Sequence, residues 1–359
     1  MNYKVFFSAF IIFITALLLP CCGGSGDDTP TPPVPPTPPT PKSAFMTGAD
    51  ISWYTEMEAK GYQFQNTVGV NMSCPKLMRD YGMDIIRLRV WVNPVEHDNW
   101  CNKADVLTKA LAVKDAGMEV MIDFHYSDWW ADPGKQYIPE AWKGHSVEEL
   151  KTDIATHTKD ILNALKEKDV TPAYVQIGNE TDDGFLWETA RASKNPANYA
   201  ALLQSGYKAV KSVFPETKVI IHISNAYKLD TYQWQIKDIF QKYNVDYDII
   251  GMSLYPSYQE EMGATACIDK YISNVKTIYN TYKKECMLVE VGLPVDDASS
   301  AALMKDILEK SKNHTDGHCL GVLYWEPESW SGWGYGLGAS TANGKNVRPN
   351  AILNVFKEY

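Results

Sequence analysis

The sequence predicts a single (β/α)8 barrel, and three observations carry that expectation. Eight short runs rich in β-branched residues recur at 46–51, 85–90, 119–124, 173–177, 218–223, 249–254, 287–291 and 320–325. Longer stretches with helical spacing of apolar positions separate them, so strand and helix alternate throughout. The turn after the first run reads Ala49-Asp50-Ile51-Ser52-Trp53, without the glycines that a doubly wound nucleotide-binding sheet would normally carry there.

The amino end reads as an address rather than as fold. Lys4 precedes an apolar run over 5–19, and Pro20-Cys21-Cys22 follows it. That is the pattern of a secretory signal, and the run is too short for a comfortable membrane span. Cysteines directly after such a run resemble a bacterial lipoprotein signal, which makes Cys21 or Cys22 the expected lipid acceptor within a 1–22 signal peptide. Residues 23–44 form a linker holding eight of the 20 prolines of the chain. Proline fixes φ and removes donors, so this stretch is an extended spacer of about 3.1 Å per residue. Its segment Gly24-Ser25-Gly26-Asp27-Asp28 resembles the export tag of surface lipoproteins in gut Bacteroidetes-type bacteria. The expected location is therefore the outer membrane, with the domain at 45–359 held on the cell surface by a lipid anchor.

Within that domain the helical patterns lie around 72–81, 103–116, 147–168, 197–213, 231–243, 267–284, 299–311 and 350–358. Gly82 and Gly117 stop the first two, and Asn195-Pro196 opens the fourth. The eight runs between them are nearly all apolar, as strands covered on both faces should be.

Composition excludes several classes. The chain has 359 residues, 45% of them hydrophobic, enough for one large core. Its 34 basic and 44 acidic side chains leave a net charge of −10, which argues against a nucleic-acid partner. Cys74, Cys101, Cys267, Cys286 and Cys319 remain after the linker, an odd set without CxxC spacing, so no zinc or other metal site is expected. No cofactor is required by any motif, and the protein is expected to act as a monomer.

In a barrel of this kind the active site lies at the carboxyl ends of the strands. Those ends collect Asp50 and Ser52; Arg87, Arg89 and Trp91; Asp123, His125 and Tyr126; Asn179 and Glu180; His222 and Asn225; Tyr255; Glu290; Trp325 and Glu326. A lone glutamate is usually a solvated surface residue. Glu180 on the fourth strand and Glu290 on the seventh are different, because those strands face each other across a narrow barrel. Cleavage of a glycosidic bond with retention needs two carboxyls about 5–5.5 Å apart. Arg89 is the cation expected to keep Glu290 ionised.

Asn179-Glu180 on strand four with a glutamate on strand seven resembles the large clan of retaining glycosidases built on this barrel. That resemblance implies Glu180 as acid/base, Glu290 as nucleophile and Asn179 as the group that binds the sugar 2-hydroxyl. The runs Gly48-Ala49-Asp50-Ile51-Ser52, Arg87-Leu88-Arg89-Val90-Trp91, Asp123-Phe124-His125-Tyr126-Ser127-Asp128-Trp129-Trp130-Ala131-Asp132-Pro133, Gln176-Ile177-Gly178-Asn179-Glu180 and Tyr324-Trp325-Glu326-Pro327 together resemble glycoside hydrolase family 53. The resemblance spans nearly the whole chain after the linker. It implies endo-hydrolysis of β-1,4-galactosidic bonds in galactan, the side chain of pectin, with galactan and galactooligosaccharides as partners.

Aromatic rings suit the apolar C–H faces of sugars, and Asp, His and Asn suit their hydroxyls. On that basis Asp50, Arg89, Trp91, His125, Asp128, Trp129, Trp130, Asn179, Asn225, Tyr255, Trp325 and Trp333 are the expected substrate-binding residues. For Trp91 a core position is an equal alternative, and Asp132 before Pro133 is read as a turn cap or a ligand contact. Some bacterial members of the family hold calcium in an Asp-rich loop after strand seven. Here Asp296-Asp297 is the sole acidic pair in that loop, which argues against a structural calcium ion. Two competing readings remain: another glycanase of the clan, acting on xylan or mannan, and a non-catalytic glycan-binding lipoprotein.

Overall fold

The computed structural model describes residues 45–359. The signal, linker and lipidation expectations lie outside the described residues. Eight parallel strands close into a barrel in simple chain order: β1 (Met46–Asp50), β2 (Ile85–Val90), β3 (Glu119–Phe124), β4 (Tyr174–Ile177), β5 (Lys218–Ile223), β6 (Ile249–Leu254), β7 (Glu285–Val291) and β8 (Cys319–Trp325). The (β/α)8 expectation holds, with strand limits displaced by at most two residues.

Alternation along each strand divides the side chains between two cores. Ile85, Met121, Ile220, Ile249, Met287, Val289 and Leu323 pack together inside the barrel. Their neighbours Ile86, Ile122, Ile221, Ile250, Leu288 and Val322 point outward into the layer shared with the helices. Continuing the inward register two or four residues toward the carboxyl end reaches Arg87 and Arg89 from Ile85, Asp123 and His125 from Met121, and His222 from Ile220. Apolar plug and polar top are thus one set of positions read at different heights.

The strand-to-helix connections hold most of the departures. A short helix, Tyr54–Ala59, follows β1 before Cys74–Asp80. The helix expected over 231–243 is α-helical at Leu229–Trp234 and π-helical at Gln235–Gln241. The final segment is split into Ala351–Asn354 and a 3-10 turn at Val355–Glu358. A small sheet was not anticipated: Ser340–Asn343 and Asn346–Pro349 form a hairpin, and Gln63–Phe64 pairs in parallel with its second strand. Its strands are two to four residues long, too short for alternation to register. The five cysteines of this domain are all buried and free.

Candidate active site

At the centre of the polar layer lies Arg87, fully buried on β2. Its guanidinium meets Asp50 at 3.0 Å, Asp123 at 2.8 Å and Glu290 at 2.9 Å. It also donates to Asn179 Oδ1 at 2.8 Å and Gln176 Oε1 at 3.2 Å. Burial alone would lower the arginine, but Asp123, Glu290 and Asp50 outweigh it and hold the group charged.

Glu290 reaches this layer through an irregularity. Met287 and Val289 point into the barrel, so strict alternation would turn Glu290 outward. The register between β6 and β7 shifts after Met252, and Ser253 faces Glu290 instead of Val289. That bulge returns Glu290 to the interior, which is how bulges re-aim a side chain at a site. Tyr255, directly after β6, donates its hydroxyl to Glu290 Oε2 at 3.1 Å. Gly292 leaves room for this contact, since a Cβ there would stand 2.9 Å from the Tyr255 ring.

Glu180 stands three residues beyond β4 with φ at 44°, and Gly178, directly after the strand, has φ at 83°. The chain therefore turns sharply over the barrel rim, and a Cβ on Gly178 would meet Thr181 at 2.6 Å. Ser253 donates to Glu180 Oε1 at 2.6 Å, and His222 Nε2 lies 2.7 Å from the same serine oxygen. Burial, followed by Arg87, keeps His222 far below its ordinary value and so neutral. The serine proton goes to Glu180, so the imidazole supplies its own Nε2–H to the serine oxygen.

The two carboxyls differ in their surroundings. Burial pushes Glu290 up to about 7, with the Arg87 cation and the Tyr255 donor pulling it back. Glu180 is pushed well above its usual range by burial first and then by the charge of Glu290. No cation offsets that, so of the pair Glu290 ionises first and Glu180 keeps its proton.

Around them is a cavity of about 340 Å³. Trp53, Trp130 and Trp325 give it aromatic walls, with Trp53 edge-on to the other two at 5.7 and 5.3 Å between ring centres. His125, Asn179, Tyr255, Asp132 and Lys135 complete the lining. Beneath the rings lies a second buried cation. Arg89 pairs with Glu326 at 2.9 Å and stands 4.0 Å from the Trp130 ring and 4.8 Å from the Trp91 ring. Burial raises Glu326 to about 7 against the pull of Arg89. Burial and the nearby Glu326 raise Glu328 well above the carboxylate range. Glu328 is the member of that pair that carries a proton, because only Glu326 faces the arginine.

Among the expected residues, Glu180, Glu290, His125, Trp130, Asn179, Tyr255 and Trp325 come together at this cavity. The other seven expected residues do not line it, which corrects those seven expectations. Arg89 does not pair with Glu290; Arg87 does, and Arg89 supports the aromatic wall from below. Asp50 is fully buried and spent on Arg87 and Ser52. Trp91 is 1% exposed and belongs to the core under Trp130. Asp128 accepts from the backbone N–H of Asn93 and Glu140, so it ties loops rather than facing the cavity. Asn225 binds Ser224 and Tyr227 at the end of β5, and Trp333 packs edge-on against Tyr62. Trp129 lines an adjoining cavity. Trp53, Lys135 and Ser253 were missed. Trp53 carried a signal, since it stands three residues beyond Asp50 on the catalytic rim. Among the described residues no cluster of three or more His, Cys, Asp or Glu could hold a metal ion.

A carboxyl that keeps its proton opposite one paired to a cation, under rings shaped for pyranose faces, is what cleavage of a glycosidic bond requires. The class is a barrel glycoside hydrolase. Residues 46–356 match the model of glycosyl hydrolase family 53, and the chain belongs to that family. An arabinogalactan endo-beta-1,4-galactanase of Cellvibrio japonicus is 30% identical over 348 residues, covering 88% of this chain and 86% of the relative. One from Thermothelomyces thermophilus is 31% identical over 301 residues, covering 78% and 88%. A solved structure from a study of two fungal beta-1,4-galactanases superposes with a TM-score of 0.78 at 28% identity, covering 88% of this chain and 99% of that one.

The buried Arg89–Glu326 pair yields a stability prediction. Glu326→Ala leaves Arg89 buried without a counter-charge and should cost about 3–5 kcal/mol of folding free energy. Urea denaturation with unchanged m-value would show it; a loss under about 1 kcal/mol would mean that the pair does not hold the wall.

Proposed function

We propose that the protein cleaves internal β-1,4-galactosidic bonds of galactan in pectin side chains, with retention of configuration. The observation that carries this reading is the asymmetric pair of glutamates, one on Arg87 and one on Ser253, in a chain of this family. The galactanase activity named for its relatives supports the substrate.

In the first step Glu180 gives its proton to the glycosidic oxygen while the Glu290 carboxylate attacks the anomeric carbon. A covalent glycosyl-enzyme forms and the leaving chain departs with the proton. Glu180, now ionised and accepting from Ser253, takes a proton from water as the water attacks the same carbon and frees Glu290. Two inversions give net retention. Arg87 and Tyr255 keep Glu290 an anion before attack, and Asn179 presents its amide at the cavity for the sugar 2-hydroxyl.

Glu290→Gln should lower turnover by orders of magnitude on every substrate. Glu180→Gln should spare the first step only for activated aryl glycosides, and azide should then release a β-glycosyl azide. Proton NMR of the wild-type reaction should show a β-configured first product; an α product would overturn the assignment of Glu290. Reducing-sugar release from galactan, xylan and mannan tests the substrate in the same experiment.

The pH profile gives a separate test. The Ser253 hydroxyl stabilises the ionised form of Glu180. Removing that donor raises the pKa of the carboxyl, so Ser253→Ala should move the alkaline limb of kcat/KM to higher pH. An unshifted limb would remove Ser253 from this role.

We further propose that the enzyme is an outer-membrane lipoprotein exposed on the cell surface and working as a monomer. Support comes from Cys21-Cys22 behind the apolar run and from the proline tether that follows. Replacing both cysteines by alanine should release the protein from membranes. Full retention on membranes without lipid label would end the idea.

A further inference from the structure

We propose that a second cavity, beyond Trp130 and lined by Trp129, Tyr137 and Trp187, is a distal subsite for a neutral sugar of the same polysaccharide chain. The inference rests on the galactan reading above and adds where the chain runs after it leaves the catalytic cavity.

The cavity measures about 410 Å³ and lies between the loops that follow β3 and β4. Trp130 lines both it and the catalytic cavity, so the two adjoin at one indole. Tyr137 is 67% exposed and Trp129 37%, among the few large apolar side chains of the described residues left open to water. Exposed aromatics gathered at one hollow, instead of scattered singly, mark a binding surface.

The hollow is built rather than accidental. Backbone bridging joins Tyr137 to Trp187, and the Trp187 N–H donates to Gln136 O at 2.7 Å, which holds the two ring-bearing segments side by side. The Trp187 indole donates to Asp183 O at 2.9 Å, and the Arg191 guanidinium covers one of its faces at 3.6 Å. Asp128 anchors the floor through the backbone of Asn93 and Glu140. Glu140 and Lys143 line the hollow as an ion pair and Asp128 adds a carboxylate, so the lining offers hydrogen-bonding groups with one net negative charge and no unpaired cation. Rings for C–H faces suit a hexose, and a rim with a carboxylate in excess and its one cation already paired repels a uronate, so an uncharged sugar fits better.

The test compares Tyr137→Ala with wild type on linear β-1,4-galactan and on an activated aryl β-galactobioside too short to span both cavities. Tyr137 is mostly exposed, so its loss should leave the fold and the short-substrate kcat/KM unchanged. On the polymer, loss of one aromatic contact should lower kcat/KM about five- to tenfold, through KM. Tyr137→Trp should restore it. Equal polymer efficiency in wild type and Tyr137→Ala, or an equal loss on both substrates, overturns the subsite. A wild type inert on galactan would instead sink the galactan reading, and the subsite with it.

Discussion

Everything at the top of this barrel is arranged around one buried guanidinium. Arg87 ties β1 through Asp50, β3 through Asp123, β4 through Gln176 and Asn179, and β7 through Glu290. Taking such charges out of water costs several kcal/mol per ion, and only dense pairing offsets that. The polar residues at the strand ends are therefore interdependent. Three carboxylates can lie buried beside one another because the cation between them is permanent, and Arg can be that cation because its pKa is out of reach.

The same cation separates the two glutamates chemically. Glu290 shares Arg87, while Glu180 has only the hydroxyl of Ser253 and the repulsion of Glu290. One environment favours the anion and the other the acid, which is the division of labour that a double displacement needs. Neutral His222 links these halves, donating from Nε2 to Ser253 on one side and accepting at Nδ1 from the Gln176 amide on the other.

A second arginine does comparable work for the substrate surface. Arg89 sits beneath Trp130 and Trp91 with Glu326 as its partner, and Glu326 in turn accepts from the backbone of Trp53 at 3.1 Å. Aromatic walls that must meet a sugar in water cannot also be held by a surrounding core. Here a desolvated cation and edge-on ring contacts hold them from behind.

The alternation of strands and helices, the closed barrel and both glutamates were legible in the sequence. Each depends on local pattern: β-branched runs, helical spacing, and polar residues at one register of every strand. Which side chains share a height inside the barrel was not legible. Stagger between tilted strands sets that height, so Arg87 and not Arg89 stands level with Glu290. The irregularity of β7, where its register shifts against both β6 and β8, is likewise invisible in composition or periodicity, yet it turns Glu290 inward against the alternation of Met287 and Val289. Sequence by itself determined which chemical groups reach the rim. Tertiary structure decided which of them touch, because ion pairing and burial act across strands far apart in the chain.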